Sequence, residues 1–299
     1  MNKGAVVVTG ASSGIGRACA LALDRAGFLV FAGVRRAEDA ASLQGDASSR
    51  LAPILLDVTD ETSLASAVFT VREALGGSGL AGLVNNAGVG LLGPLECLPL
   101  DDIRRQFEIN VFGQIAVIQA FLPLLRTARG RIINMGSVGG RFALPFGGPL
   151  CASKSAFASL TDSLRLELSP WGIHACLIEP ASIATPAVDK VGAQSESMLE
   201  NLSPQGRERY GALVRGFVKR AVRREQKGSP PEAVAKVVVE ALTAKKPKAR
   251  YPVGADARLI LTLAHWLPEP MLDRVRLRLF GLPTQFGVLA ATPGRSEEA

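Results

Sequence analysis

The sequence predicts a single doubly wound α/β domain, in which a parallel sheet carries helices on both faces. Short apolar runs alternate with segments whose apolar residues recur about every 3.6 positions, the pattern of strands followed by helices. The apolar runs are continuous, as in parallel strands that are buried on both faces. With 299 residues, of which 47% are hydrophobic, the chain can form one large core, and neither a repeat nor a low-complexity linker divides it.

Seven apolar runs are interpreted as the strands of this sheet. They are residues 4–9, 29–34, 52–56, 82–85, 131–135, 173–179 and 250–253. Helical periodicity between them predicts helices that include residues 14–26, 61–75, 103–125 and 151–168. The expected architecture is therefore a seven-stranded parallel sheet built from repeated β-α units.

Two regions depart from this alternation, and a short tail follows them. Residues 181–228 are polar and helix-prone, with a Ser-Pro break, and we interpret them as a mobile substrate-binding insertion. Residues 256–280 hold two amphipathic segments separated by prolines. The last eight residues, 292–299, are expected to be disordered.

Composition limits the compartment and the partners. The four cysteines show no metal-ligand spacing, so we interpret them as free thiols of a cytoplasmic protein. His174 and His265 have no partner at ligand spacing, and no metal site is predicted. The net charge of +7 includes scattered basic pairs such as Arg104-Arg105, which favours a solvated surface over nucleic-acid binding. No segment approaches the length of a membrane span, so we expect at most contact with a membrane surface.

A glycine-rich turn follows the first strand and opens the first helix. Its sequence, Thr9-Gly10-Ala11-Ser12-Ser13-Gly14-Ile15-Gly16, places glycines where the chain turns tightly and where a ligand approaches the backbone. The amide groups at a helix N-terminus carry partial positive charge and suit a pyrophosphate. The spacing, Gly-x-x-x-Gly-x-Gly, differs from the common G-x-G-x-x-G, but its place between a strand and a helix, together with the motifs that follow, favours a Rossmann-type nucleotide site over a simple tight turn. The expected contacts are Gly10, Ser12, Ser13, Gly14, Ile15 and Gly16.

The end of the second strand favours one nicotinamide cofactor over the other. An acidic residue at this place binds the ribose hydroxyls of NAD, and none is present. Arg35 and Arg36 can instead form bidentate contacts with a 2′-phosphate. We therefore predict NADP(H) as the preferred cofactor, with NAD(H) as the alternative if the two arginines only face water.

The second motif begins after the fifth strand. Ser137 is separated by twelve residues from Leu150-Cys151-Ala152-Ser153-Lys154. Together with the glycine turn, Asn85-Asn86-Ala87-Gly88 and Asn110, this segment resembles the short-chain dehydrogenase/reductase family over residues 4–255. The Ser-Tyr-Lys spacing of that family is kept, but Leu150 occupies the position of the tyrosine. Residues 162–168 resemble its retinol and 17β-hydroxysteroid dehydrogenase branch.

The resemblance implies a role for each matching residue. Ser137 would orient a carbonyl group, Lys154 would bind the nicotinamide ribose, and Asn110 would hold a water relay. The tyrosine of the family exchanges the proton. Further cofactor contacts implied by the resemblance are Asp57, Val58, Asn86, Ala87, Gly88, Pro180, Ile183 and Thr185. The family also implies a homodimer or homotetramer formed through the helices at 103–125 and 151–168.

The leucine at position 150 decides how much activity to expect. Leu150 lies one helical turn before Lys154, about 6 Å away along the axis, and cannot exchange a proton. General acid-base catalysis typically contributes about 10²–10⁴-fold, so carbonyl reduction should be impaired. Three explanations stay open: a tyrosine removed by design, a natural NADPH-binding pseudoenzyme, or a substrate such as an iminium ion that needs no proton from tyrosine.

The expected substrate pocket is apolar. Its walls should come from residues 89–95, residues 141–149 and the insertion after Pro186. The apolar candidates are Leu91, Leu92, Phe142, Leu144 and Phe146. We therefore predict NADPH-dependent interconversion of a lipophilic ketone or aldehyde and its alcohol by hydride transfer. The amphipathic segments at 256–280 are expected to cover this pocket or to form a dimer contact, ahead of lying on a membrane.

Overall fold

A computed structural model describes residues 3–283 and contains the predicted seven-stranded sheet. Its strands are β1 (Ala5–Val8), β2 (Leu29–Val34), β3 (Leu51–Leu55), β4 (Leu80–Asn85), β5 (Arg131–Met135), β6 (His174–Pro180) and β7 (Arg250–Val253). They lie in the order β3-β2-β1-β4-β5-β6-β7, and every pair of neighbours is parallel. The order reverses at β1, so the carboxyl ends of β1 and β4 border the crevice where ligands bind in such sheets.

The helices connect the strands and cover the sheet. They are α1 (Gly14–Arg25), α2 (Ala37–Gln44), α3 (Glu61–Leu75), α4 (Leu100–Phe107), α5 (Gly113–Ala128), α6 (Gly148–Leu168), α7 (Ala187–Glu200), α8 (Pro204–Gln226), α9 (Pro231–Thr243), α10 (Ala257–Trp266) and α11 (Glu269–Phe280). Helices α1 and α9 pack side by side on one face of the sheet, whereas α3, α5 and α6 pack on the other.

The strands are mostly apolar because both of their faces are buried, with Arg131, Asn134 and Arg250 among the exceptions. In β1, Val6 and Val8 pack with α1 and α9, while Ala5 and Val7 pack with the helices on the opposite face. All four side chains are almost completely buried. Burying a valine stabilises a fold by about 1.5–3 kcal/mol. This two-sided burial explains the continuous apolar runs from which the strands were predicted.

The helix predicted at residues 103–125 is not one continuous α-helix. A π-helical turn, Glu108–Phe112, separates α4 from α5 and contains Asn110. Such turns occur mainly inside α-helices at functional sites. Together, residues 100–128 form a helical run that is long and apolar enough, by length and composition, to cross a membrane. The expectation that no segment approaches that length was therefore wrong, although half of the most apolar window is buried inside the protein, against β4 among others.

The helices of the region after β6 form a hydrophobic cluster that is separate from the two clusters on the sheet. Residues 181–228 contain α7 and α8, and Ser203 caps α8 by accepting a hydrogen bond from the amide of Gly206 at 3.1 Å. The mobility expected of this region stays a prediction. The two predicted C-terminal segments are α10 and α11, and Phe280 of α11 packs on Phe217 of α8. The tail predicted to be disordered lies outside the described residues.

Candidate active site

A cavity of about 930 Å³ lies at the carboxyl ends of the strands. Residues that follow β1, β2, β3, β4 and β5, together with the end of β6, line it. The carboxyl ends of parallel strands share one edge of a sheet, so segments distant in sequence meet here. The site predicted from separate motifs is thus a single continuous space.

The glycine turn forms one wall and leaves no room for larger residues. Gly10 and Gly14 have positive φ angles of 63° and 54°, which favour glycine. A Cβ atom on Gly16 would lie 2.1 Å from the carbonyl oxygen of Gly10. The six contact residues predicted in this turn, Gly10, Ser12, Ser13, Gly14, Ile15 and Gly16, all line the cavity.

The N-terminus of α1 faces the cavity with its amide groups available. Ser13 is the N-cap residue, but its side chain makes no capping hydrogen bond, and the first turn carries no acidic side chain. Unpaired amide groups at a helix N-terminus attract an anion. The glycine cradle and this helix end therefore fit a nucleotide pyrophosphate.

Asn86 links the end of β4 to the glycine turn by hydrogen bonds. Its amide donates to Thr9 Oγ1 at 2.9 Å, and its side-chain nitrogen donates to the carbonyl oxygens of Thr9 at 3.1 Å and Gly10 at 3.2 Å. Asn86, Ala87 and Gly88 line the cavity, as predicted. A Cβ atom on Gly88 would lie 3.2 Å from Asn110 Oδ1, so only a small residue fits between β4 and the π turn.

The end of the cavity next to β2 and β3 carries charged groups. Arg35, Asp57 and Val58 line it, whereas Arg36 lies outside the lining and pairs with Asp39 at 3.1 Å. Burial works to raise the pKa of Asp57, but hydrogen bonds from Thr59 and the positive charges of Arg35 and Arg105 outweigh it and lower the pKa.

Two arginines at this end were missed by the sequence analysis. Arg104 and Arg105, interpreted there as solvated surface, line the cavity from α4. Nothing in their spacing distinguishes them from the other basic pairs. Only the packing of the helical run across the ends of the central strands brings them to the cavity.

Ser137 and Lys154 line the opposite end of the cavity, next to the end of β5. The hydroxyl of Ser137 accepts from the amide of Gly139 at 3.0 Å, which fixes the turn after β5. The ammonium of Lys154 donates to the carbonyl oxygen of Met135 at 2.8 Å, and burial lowers the pKa of Lys154 to about 8. Leu150 lines the cavity beside them. The three matched positions therefore face the same space.

Asn110 is buried beneath this group and lies outside the cavity lining. Its side chain accepts from the amide of Val89 and donates to the carbonyl oxygen of Val89, both at 2.9 Å. It also donates to Ser153 Oγ at 3.1 Å, and Ser153 donates to the carbonyl oxygen of Leu150 at 2.8 Å. Asn110 thus connects the π turn to the first turns of α6.

The wall around Leu150 is largely apolar. Of the predicted substrate residues, Leu92, Phe142 and Leu144 line the cavity, and so do the predicted cofactor contacts Pro180, Ile183 and Thr185. Leu91 and Phe146 lie outside the lining, and Phe146 packs edge-on against Phe217, with ring centroids 5.5 Å apart. Apolar groups from the insertion after Pro186 and from the segments at 256–280 also line the cavity, namely Phe217, Val218 and Val222 of α8, Ile260 of α10, and Leu279 of α11.

The fold and this site define a nucleotide-binding protein of the Rossmann type, and comparison with known proteins gives the family. Residues 4–196 match the short chain dehydrogenase family, so the chain belongs to the short-chain dehydrogenases/reductases. It is 38% identical over 286 residues to retinol dehydrogenase 5 of Mus musculus, covering 94% of this chain and 90% of that protein.

A bacterial enzyme and a solved structure agree with this assignment. The chain is 35% identical over 274 residues to NADPH-dependent 3-dehydrocapnine reductase of Ornithobacterium rhinotracheale, covering 90% of this chain and 94% of that protein. A short chain dehydrogenase from Burkholderia cenocepacia, solved in complex with NADP, superposes with a TM-score of 0.69 at 26% identity, covering 91% of this chain and 97% of that one. The chain is thus an oxidoreductase-family protein with retinol dehydrogenase-like relatives.

Proposed function

We propose that this protein interconverts a lipophilic ketone or aldehyde and its alcohol by hydride transfer with NADP(H). The observation that carries the proposal is one continuous cavity, which joins the glycine cradle to Ser137, Lys154 and the apolar wall around Leu150. A nucleotide held at the cradle and a carbonyl group held near Ser137 would share this space.

NADP(H) is preferred in this proposal because of the charges at the end of the cavity next to β2 and β3. Arg35 lines that end and is free of the ion pair that engages Arg36. Guanidinium groups bind phosphate oxygens in bidentate fashion. The name of the bacterial relative and the ligand of the solved relative also point to NADPH.

Each matched side chain would have a distinct task in the reaction. The nicotinamide supplies or accepts the hydride when it is bound. Ser137 Oγ would donate a hydrogen bond to the substrate oxygen, and the ammonium of Lys154 would bind the ribose hydroxyls. Asn110 would keep the π turn against α6 through Ser153. In place of the missing tyrosine, Lys154 would deliver the proton through a water molecule, since its lowered pKa makes it a better acid than an ordinary lysine.

The substrate is proposed to be lipophilic because its wall offers few polar groups. Leu92, Phe142, Leu150 and Phe217 surround the space beyond Ser137. Such walls bind apolar ligands and leave orientation to a few polar groups. The similarity to retinol dehydrogenase 5 is in accord with a lipophilic alcohol or aldehyde.

A second candidate function is non-catalytic binding of NADPH, and the leucine at position 150 favours it. A protein that keeps the nucleotide site and lacks the proton donor could act by sensing NADPH. A third candidate is reduction of an imine or iminium ion, whose reacting centre is already cationic and needs no proton from tyrosine.

One experiment separates these candidates. NADPH binding and NADPH oxidation are measured over a panel of lipophilic ketones, aldehydes and cyclic imines, with the chain as it stands and with Leu150→Tyr. Turnover of carbonyls, slow in the parent and fast in the variant, supports the proposal. Fast imine reduction with no gain from tyrosine favours the imine reductase. Tight binding without turnover in either protein favours the NADPH-binding function, and failure to bind NADPH rejects all three.

The assembly and location are also proposals. Exposed apolar side chains on the helical run and α6, including Phe112 and Leu166, are in accord with a homodimer or homotetramer. We also propose peripheral contact with a membrane from the cytoplasm through the exposed side chains of Leu259 and Trp266 on α10. Sedimentation of the purified protein with and without lipid vesicles tests both statements.

A further inference from the structure

The last turn of α8 places a carboxyl group in the wall of the cavity. Glu225 lines the cavity, and its Oε2 accepts a hydrogen bond from the amide of Ile183 at 3.0 Å. Ile183 belongs to the segment that would line the nicotinamide. The other α8 residues in the lining are Phe217, Val218, Ala221, Val222 and Arg224. No role described so far uses this carboxyl group.

The backbone around Ile183 is tied to the same end of α8. Ser229 donates its amide to the carbonyl oxygen of Ser182 and accepts from the amide of Ala184, both at 3.0 Å. The amide of Ile183 donates to Glu225, so three consecutive residues, 182–184, form hydrogen bonds with the junction between α8 and α9. Of these three bonds, the one to Glu225 is made by a side chain.

A glycine at the junction brings the two segments into close contact. A Cβ atom on Gly228 would lie 2.3 Å from the carbonyl oxygen of Ser182 and 2.9 Å from that of Glu225. The amide of Gly228 donates to the carbonyl oxygen of Glu225 at 2.8 Å. Glycine at this position therefore allows the end of α8 to press against the segment that Glu225 binds.

Charges of opposite sign lie near the carboxyl group. Arg224 Nε donates to Ser182 Oγ at 3.3 Å and its guanidinium pairs with Asp256, which precedes α10. Burial raises the pKa of Glu225, while the Ile183 amide, the Ser182 hydroxyl and Arg224 act in the opposite direction and Asp256 adds to the rise. The charged groups facing Glu225 are thus one arginine of its own helix and one aspartate from the β7–α10 connection.

We propose that Glu225 is a positioning residue, which holds the segment 182–185 in the conformation that binds the nicotinamide half of the cofactor. The same hydrogen bond keeps the end of α8 against this segment, so that α8 forms a wall of the cofactor site. The inference rests on the proposed nucleotide site and deepens it. Ile183 is almost completely buried, so loss of the Glu225 acceptor leaves a buried amide group without a partner. The segment relaxes to satisfy that amide, and Ile183 and Thr185 move away from their places in the lining.

The test compares the whole cofactor with a fragment that lacks the nicotinamide. Dissociation constants are measured for NADPH and for adenosine 2′,5′-bisphosphate with the parent chain, Glu225→Ala, Glu225→Gln and the control Glu208→Gln, an exposed position on the same helix. We expect Glu225→Ala to weaken NADPH binding about tenfold, since a hydrogen bond to a charged group is lost, and to leave the fragment unchanged. The Glu225→Gln side chain keeps an acceptor oxygen and should restore NADPH binding to within about threefold.

Hydrogen exchange of the cofactor-free proteins gives a second readout that needs no activity. The amides of residues 183 and 184 should exchange faster in Glu225→Ala, while those of β4 and β5 keep their parent rates. Equal losses for NADPH and the fragment, or faster exchange throughout the sheet, would overturn the positioning role and indicate general destabilisation. Unchanged NADPH binding in Glu225→Ala would also overturn it. A parent chain that binds neither ligand rejects the nucleotide site itself, a result distinct from the other two.

Discussion

The two ends of the cavity are built in different ways. At the nucleotide end, backbone groups of the glycine turn and charged side chains such as Arg35 and Asp57 form the walls. At the other end, many of the walls are apolar side chains of helices, and Ser137 and Lys154 are the polar groups to which our proposal gives roles in hydride transfer. The first end depends on chain geometry, and the second depends on individual side chains. We therefore expect a single residue such as Leu150 to alter the chemistry with little effect on nucleotide binding.

The largest expected effect comes from restoring a proton donor at position 150. We expect Leu150→Tyr to raise kcat/KM for carbonyl reduction by about 10²–10⁴-fold, because a positioned acid replaces an inert side chain. NADPH affinity should stay within about threefold, since the nucleotide end is untouched. Steady-state NADPH oxidation and a separate binding measurement check both values.

The matched control for this change is Leu150→Phe, which adds the ring without the hydroxyl. It should leave carbonyl reduction at the parent level. If Leu150→Phe raises the rate of carbonyl reduction as much as Leu150→Tyr does, the shape of the side chain rather than its proton limits the reaction. That result would contradict the role of position 150 as the place of the proton donor.

A methyl group added to the glycine turn should damage the nucleotide end. In Gly16→Ala the new Cβ atom would meet the carbonyl oxygen of Gly10 at 2.1 Å. Overpacking of this kind costs about 1–3 kcal/mol, so we expect NADPH binding to weaken by roughly 5- to 150-fold. Calorimetric titration measures the change.

Gly216→Ala, in the middle of α8, serves as its control because open space surrounds that glycine. It should keep NADPH affinity and increase the free energy of unfolding by up to about 1 kcal/mol, as alanine favours a helix over glycine. Equal binding losses in both variants would show that the glycine turn has no special role.

The two arginines after β2 should differ in their effect on cofactor choice. Arg35→Ala should reduce the preference for NADPH over NADH about tenfold, because Arg35 lines the cavity and a charge-assisted contact to the 2′-phosphate is lost. Arg36→Ala should change that ratio little, because Arg36 pairs with Asp39 outside the lining. Dissociation constants for both cofactors, at low and at physiological salt, test the pair. A larger change of the NADPH-to-NADH preference in Arg36→Ala than in Arg35→Ala would indicate that Arg36, rather than Arg35, binds the 2′-phosphate.

The last prediction concerns the ammonium of Lys154. Its pKa falls from 10.5 to about 8 on burial, so between these values the unfolded chain binds more protons than the folded one. This group should therefore make the free energy of unfolding rise with pH across that window, by at most about 1.4 kcal/mol per pH unit. Urea unfolding of the parent and of Lys154→Met at a series of pH values isolates the contribution. The same slope in both proteins would contradict the lowered pKa.

Much of the fold could be predicted because local patterns and burial agree. The strands 29–34, 131–135 and 250–253 were predicted with the bounds that they have in the structure, since strands buried on both faces form runs that are mostly apolar. The helix at 103–125 was predicted as continuous, and the structure interrupts it at Asn110. The bonds of Asn110 to Val89 and Ser153 accompany this turn, and both partners come from other parts of the chain.

The site was predicted less evenly. Residues of the glycine turn line the cavity as expected, because their backbone conformation is a local property. Arg36 and Phe146 lie outside the lining, whereas Arg105 and Glu225 line it without any motif to mark them. Each of these outcomes depends on which neighbouring element a side chain meets.

The sequence by itself determined the parallel α/β architecture, the nucleotide cradle, and the absence of a proton donor at position 150. Those features follow from hydrophobic periodicity, from glycine at tight turns and from fixed spacing along one helix, which are all local. Only the tertiary structure decided the π turn at Asn110, the two arginines of α4 at the nucleotide end, and the carboxyl group of Glu225 against Ile183. These arise where packed helices bring together residues that no local pattern relates.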